Sequence, residues 1–201
     1  MNKKITMVGI SSLVVVALAI ALNLFFSKPA SFRGTSYGEP YPVAADFSLI
    51  DAKGSTAKLS DNLGRITLLF FGYTYCPDIC PTTLAELKLV MKNLGEKADQ
   101  VQVLFISVDP KRDSSKSMQE YVERFDKAFI GLGGTEEELE PIWAEYGIFR
   151  EIVEGSSEKN YIVNHTARII LVDQTGNLRL SYGFQTPPED ISHDIEILLR
   201  K

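Results

Sequence analysis

The chain has 201 residues, 45% of them apolar and 23% charged, with a formal net charge of −5. That describes one globular domain plus an appendage, and an acidic chain without a basic stretch offers no surface for nucleic acid. Only two cysteines are present, Cys76 and Cys80. They lie in one turn of chain, so a disulfide between them would be a local redox or metal device and not a scaffold.

Lys3 and Lys4 precede an uncharged apolar run, Ile5 to Phe26. Its roughly 22 residues suffice to cross a hydrocarbon core of about 30 Å as a helix. A cleaved leader has a shorter apolar region and a small-residue exit, whereas Ser27-Lys28-Pro29-Ala30-Ser31 follows here. Residues 1–26 are therefore expected as a single-pass membrane anchor rather than a cleaved signal. The remainder lies outside the cytoplasm if the start of the chain stays inside. No cysteine directly follows the run, so lipid anchoring through one is not expected. Residues 27–45, rich in Pro, Gly, Ser and Tyr, are expected as a linker, and residues 46–201 as the globular domain.

Within that domain, Phe47–Ile50 and Thr56–Leu59 flank Asp51-Ala52-Lys53-Gly54 as a hairpin. Ile66–Phe71 is a short apolar run typical of a buried strand. Leu84, Leu87, Val90, Met91 and Leu94 follow at helical spacing and stop at Gly95. Val101–Val108 is the next strand, ending at Asp109-Pro110; Ser114–Phe125 is an amphipathic helix; Phe129–Leu132 is a short strand. Thr135 with Glu138 forms a capping box, starting a helix that runs to about Tyr146. Ile169–Val172 and Leu178–Tyr182 flank Asp173–Asn177 as a second hairpin. Thr186 and Glu189 suggest another capping box, with Pro at the first position of a last helix that carries Ile191, Ile195 and Leu198. The alternation of strands and helices predicts an α/β sheet with helices on both faces.

Phe70-Phe71-Gly72-Tyr73-Thr74-Tyr75-Cys76-Pro77-Asp78-Ile79-Cys80-Pro81 is the most informative segment. A cysteine pair at i and i+4 on a first helical turn shares one face, closing a disulfide or holding one soft ion such as Cu(I) or Zn. A thiol at a helix N-terminus should have a lowered pKa. Pro81 predicts a tight first turn and a shift in the helix after Cys80, leaving both sulfurs on an exposed junction. Two sulfurs rarely hold a metal firmly, so a third ligand is expected from elsewhere. His165 precedes a buried strand, and His193 reads as a solvated residue of the last helix. Met91 and Met118 read as core. Asp78 between the cysteines is a candidate to tune the site by its charge, and Asp109 ends a strand at the same carboxyl edge, where α/β sheets place their sites.

These residues resemble the SCO/SenC family of copper chaperones. Residues 70–81 look like its F-x-Y-T-x-C-P-D-x-C-P signature; Ser107-Val108-Asp109-Pro110 with Arg112-Asp113 resembles a second motif; Val163-Asn164-His165-Thr166-Ala167 resembles V-D-H-[ST]. Phe32-Arg33-Gly34-Thr35 also looks like family sequence. The resemblance covers roughly residues 32–200. It implies a thioredoxin-like fold with an inserted β-hairpin and a membrane anchor. It also implies one copper, Cu(I) or Cu(II), bound through Cys76, Cys80 and His165 and delivered to the dinuclear copper A centre of cytochrome c oxidase subunit II. Other extracytoplasmic copper carriers or thiol reductants would be further partners. Asn164 stands where the family has Asp, which removes a negative charge expected beside the metal.

The alternative is a thiol-disulfide oxidoreductase that reduces the cysteines of a copper A site apoprotein, with Cys76 and Cys80 as its catalytic pair. Thioredoxin-like reductases carry a cis-Pro opposite their cysteines. Residues 160–166 contain no proline and offer His165 there instead, which favours metal binding.

Overall fold

The computed structural model describes residues 31–157 and 160–200. The run Ile5–Phe26, with the anchor expected on it, lies outside the described residues. Among those described, no helix is long and apolar enough to cross a membrane.

Two predominantly apolar runs make the centre of the sheet. The parallel neighbours β4 (Ile66–Gly72) and β5 (Val101–Ser107) are buried at every position, as strands covered on both faces must be. The edge strand β6 (Ile130–Leu132) extends the parallel part beyond β5. On the other side β9 (Arg168–Val172) runs antiparallel to β4, followed by β10 (Leu178–Gly183) and the two-residue β1 (Thr35–Ser36), giving the order β1-β10-β9-β4-β5-β6. The short hairpin β2–β3 (Ser48–Ile50, Thr56–Lys58) forms as expected.

Among the described residues, four α-helices flank this mixed sheet: α1 (Ile79–Leu94), α2 (Ser115–Val122), α3 (Glu136–Glu145) and α4 (Pro188–Leu199). Phe70 stacks on Phe105, which stacks on Tyr121 of α2 on one face; Phe71 meets Tyr146, just beyond α3, on the other. Gly95, at φ +58°, closes α1. At α3 the capping box is formed in both directions, Glu138 N–H to Thr135 Oγ1 and Thr135 N–H to Glu138 Oε2.

Three expectations are corrected. Pro81 does not disturb α1: the helix starts at Ile79, so Pro81 is its third residue, where an N–H would have no helical partner. Thr186 does not cap α4: Pro187 takes that position, and the Thr186 hydroxyl donates to Gly183 O at 2.9 Å. The segment from Phe32 to 45 does not run free as a linker. Asp194 on α4 accepts from Arg33 N (3.0 Å) and Gly34 N (2.8 Å), β1 joins the sheet, and Ala44 N donates to Gly176 O (2.9 Å). Its composition is that of a loop, but its backbone groups pair with the sheet edge.

Between α3 and β9 the chain makes a separate hairpin, β7 (Arg150–Ser157) and β8 (Asn160–His165). Residue patterning did not find it, although the family resemblance implied an inserted hairpin.

Candidate metal centre

The carboxyl end of β4 sets the site. Tyr73, 1% exposed, buries the chain as it leaves the strand, and a turn from Tyr73 O to Cys76 N (3.2 Å) brings Cys76 back over the start of α1. Cys76 therefore sits in the loop, not on the helix, and only Cys80 is helical. The two sulfurs also differ in exposure: Cys76 is partly open, Cys80 fully buried. Gly72 makes room for the second, since a Cβ there would stand 2.8 Å from Cys80 Sγ and 2.6 Å from the Phe105 ring.

Cys80 N–H, one of the N–H groups a helix start leaves without a helical partner, donates to Cys76 Sγ at 3.3 Å. His165, 85 positions away at the end of β8, places Nε2 3.7 Å from Cys80 Sγ. Its Nδ1 lies 3.2 Å from Thr166 O. A carbonyl only accepts, so Nδ1 is the nitrogen that donates there, and Nε2 is the one turned toward the sulfurs. Tyr73 meets the imidazole edge-on, ring centroids 5.9 Å apart.

The three donor atoms lie within 4.8 Å of one another. Two donors sharing one ion through bonds of about 2.3 Å stand at most about 4.6 Å apart, so a small closure would complete a two-sulfur, one-nitrogen site. This donor set suits a soft ion.

The thiols divide one proton unequally. Cys76 is held down to about 4, first by the hydrogen bond from the Cys80 thiol, then by His165 and the N–H groups of Cys80 and Asp78, while its partial burial works the other way. Cys80 is pushed up by the same hydrogen bond, by burial and by the charge on Cys76. A thiolate thus faces solvent at neutral pH with a thiol behind it.

Asp78, the residue before α1, is exposed, and its carboxylate meets only Thr82 Oγ1 at 3.4 Å among its hydrogen-bond partners. Asp109 is fully buried but turns to Arg112 Nε (2.5 Å) and the Tyr161 hydroxyl (2.6 Å) rather than to the sulfurs. Asn164 is exposed on β8, alternating with the inward Val163 and His165, so its side chain leaves the site. His193 pairs with Asp194 at 3.0 Å on α4, and Met91 and Met118 are core.

Sequence reasoning passed over Asp113 as a site residue. Its carboxylate accepts from Thr74 N (3.2 Å), Thr74 Oγ1 (2.5 Å) and Ser107 Oγ (3.0 Å), tying the cysteine loop to the end of β5. The available signal was its place just after a strand that ends at the same edge. Burial pushes its carboxyl pKa up, against the lowering effect of these hydrogen bonds.

The profile of the SCO1/SenC family matches residues 35–200. An SCO2-like protein of Rickettsia felis is 30% identical over 191 residues, covering 90% of this chain and 93% of the relative. Among solved structures, ScoI of Bradyrhizobium japonicum with copper bound is 35% identical, with a TM-score of 0.71 over 78% of this chain and 99% of that one. Apo Sco1 of Thermus thermophilus is 34% identical, with a TM-score of 0.71 over 86% and 96%. The α/β, thioredoxin-like architecture implied by the motifs is the one adopted.

Proposed function

This chain belongs to the SCO1/SenC family, and from that membership and the site we propose that it is a membrane-anchored copper chaperone. One copper is held by Cys76 Sγ, Cys80 Sγ and His165 Nε2 and passed to the dinuclear copper A centre of cytochrome c oxidase subunit II. The observation that carries the reading is the meeting of two thiols and an imidazole nitrogen from segments 85 positions apart. The copper-bound relative supports copper as the ion.

Each side chain has a share in the work. Cys76 offers a ready thiolate on the open side, where an acceptor's ligands can approach. Cys80 gives up its proton on binding, so uptake releases about one proton near neutral pH. Three donors leave copper open to exchange. The run Ile5–Phe26 keeps the domain at the extracytoplasmic face of the membrane, beside other copper carriers and thiol reductants.

One observation keeps a second reading in view. An exposed thiolate backed by a buried thiol is also the asymmetry that thiol-disulfide exchange uses, so the pair would suit reduction of a copper A site apoprotein. His165 separates the two. The purified, reduced chain should take up about one Cu(I), and its Cys76–Cys80 disulfide form almost none. His165→Ala should weaken copper binding at least about 10-fold while leaving dithiol reduction nearly intact. Retained affinity with lost disulfide reduction would make the reductase the better reading.

A further inference from the structure

The site joins two segments that are remote in sequence, the cysteine loop after β4 and the strand β8 that ends in His165. What ties one to the other is a cluster that supplies no ligand. Tyr161 and Val163 are buried between the exposed Ile162 and Asn164, so Tyr161, Val163 and His165 share the inward face of β8. Val163 N–H donates to the Tyr73 hydroxyl at 3.3 Å. Tyr161, about 13 Å up the strand from His165, is attached twice. Its hydroxyl donates to Asp109 at 2.6 Å, and its carbonyl accepts from Arg112 Nη1 at 3.0 Å.

Arg112 reaches both segments at once. Its guanidinium lies 3.6 Å from the Tyr161 ring centroid on the hairpin, and 4.8 and 5.6 Å from those of Tyr75 and Tyr73 on the cysteine loop. It rests on Asp109, whose side chain is 0% exposed, through a 2.5 Å bond from Nε. Only a planar, permanently charged fork can stack on aromatic faces while donating in its own plane to a carboxylate and a carbonyl; a lysine ammonium can keep the charge but not the stack.

We infer that Arg112, seated on Asp109, is the positioning residue that holds the β7–β8 hairpin against the cysteine loop and thereby sets His165 Nε2 beside the sulfurs. This rests on the reading of Cys76, Cys80 and His165 as copper ligands. Asp109, expected beside the site at the carboxyl edge of the sheet, acts through Arg112 and Tyr161.

The test is a double-mutant cycle on the purified full-length chain, with Cu(I) affinity read by competition against a chromogenic chelator. Arg112→Lys keeps a cation beside Asp109, and Arg112→Ala removes it. Each should bind copper about 10-fold more weakly, as expected when the support of a ligand is lost. In the His165→Ala background neither should cost more than about twofold further, because the effect runs through the histidine. The thiolate-to-Cu(II) absorption of Arg112→Lys should shift toward that of His165→Ala. In the metal-free protein, amide exchange at Tyr161–His165 should rise while that of β4 and β5 stays unchanged. If Arg112→Ala does not fold, Arg112→Lys decides. Unchanged affinity in Arg112→Lys, or a loss that adds in full to that of His165→Ala, would overturn the assignment. If the wild type binds no copper, the proposed function fails on its own, and the exchange arm still judges the positioning: unchanged exchange at β8 overturns it.

Discussion

Cys76 and Cys80 carry the same group four residues apart, and their surroundings drive them in opposite directions. The Cys76 pKa, about 4 in the folded chain, lies far below the ordinary thiol value of about 8.5 that the unfolded chain shows. A depressed pKa contributes stability that is present above the unfolded value and is lost as pH falls toward the folded one. Cys80 has the reverse sign: its raised pKa costs nothing below about 8.5 and disfavours folding above it, where the unfolded thiol ionises. The difference in unfolding free energy between reduced, metal-free wild type and Cys76→Ser should therefore grow from pH 5 to pH 8. Urea titrations at several pH values measure it, and a flat difference would contradict the depressed pKa. Iodoacetamide should modify Cys76 at a rate already on its plateau at pH 6 and leave Cys80 untouched in the native state. The family resemblance implied the three residues that the fold brings together, but not which thiol would be the exposed thiolate. That depends on Gly72 opening space for Cys80 Sγ beside Phe105, a contact made across the sheet.

At the scale of elements, the legible parts were those with strong local signals. The apolar runs of β4 and β5, the 3.6-residue period of α1 with its glycine stop and the Thr135 capping box are all local. What escaped was held by distant partners. The strand β7, Arg-Glu-Ile-Val-Glu-Gly-Ser-Ser, has little apolar alternation, and its hairpin reaches Tyr73 and Arg112 through β8. The segment at Phe32–Ser36 looked like linker because its anchor, Asp194, lies 160 residues downstream. That carboxylate is buried and accepts the N–H groups of Arg33 and Gly34 together with the Tyr182 hydroxyl at 3.3 Å. Asp194→Ala should lower stability by about 2 kcal/mol, the scale of hydrogen bonds to a charged acceptor. It should also raise amide exchange at Tyr37, whose N–H donates to Arg179 O, well before β4 responds. Gly34→Ala should loosen the same strand, since a Cβ there would stand 2.5 Å from the Tyr182 ring. Equal exchange at Tyr37 in both variants and wild type would show that β1 is held by something else.

For the whole molecule, the site gathers at one edge of the sheet. The carboxyl ends of β4 and β5, the start of β9 and the inserted hairpin all meet there, and of the two thiols Cys76 is the one that reaches solvent. That makes Cys76 a reporter of where the domain resides. The uncharged run Ile5–Phe26 behind Lys3 and Lys4 argues for an anchor whose start stays inside, although Lys28 and Arg33 flank the other end and weaken the charge bias. Two measurements on the full-length chain decide it. The protein should stay with membranes through high salt and alkaline washing; a released product beginning near Ser31 would mean a cleaved leader instead. In intact cells treated with a membrane-impermeant reductant and a copper chelator, an impermeant maleimide should label Cys76, and Cys76→Ser should abolish the labelling. Labelling that appears only after lysis would place the domain on the cytoplasmic side, away from the copper A centre, and delivery there would have to be abandoned even if the chain binds copper tightly.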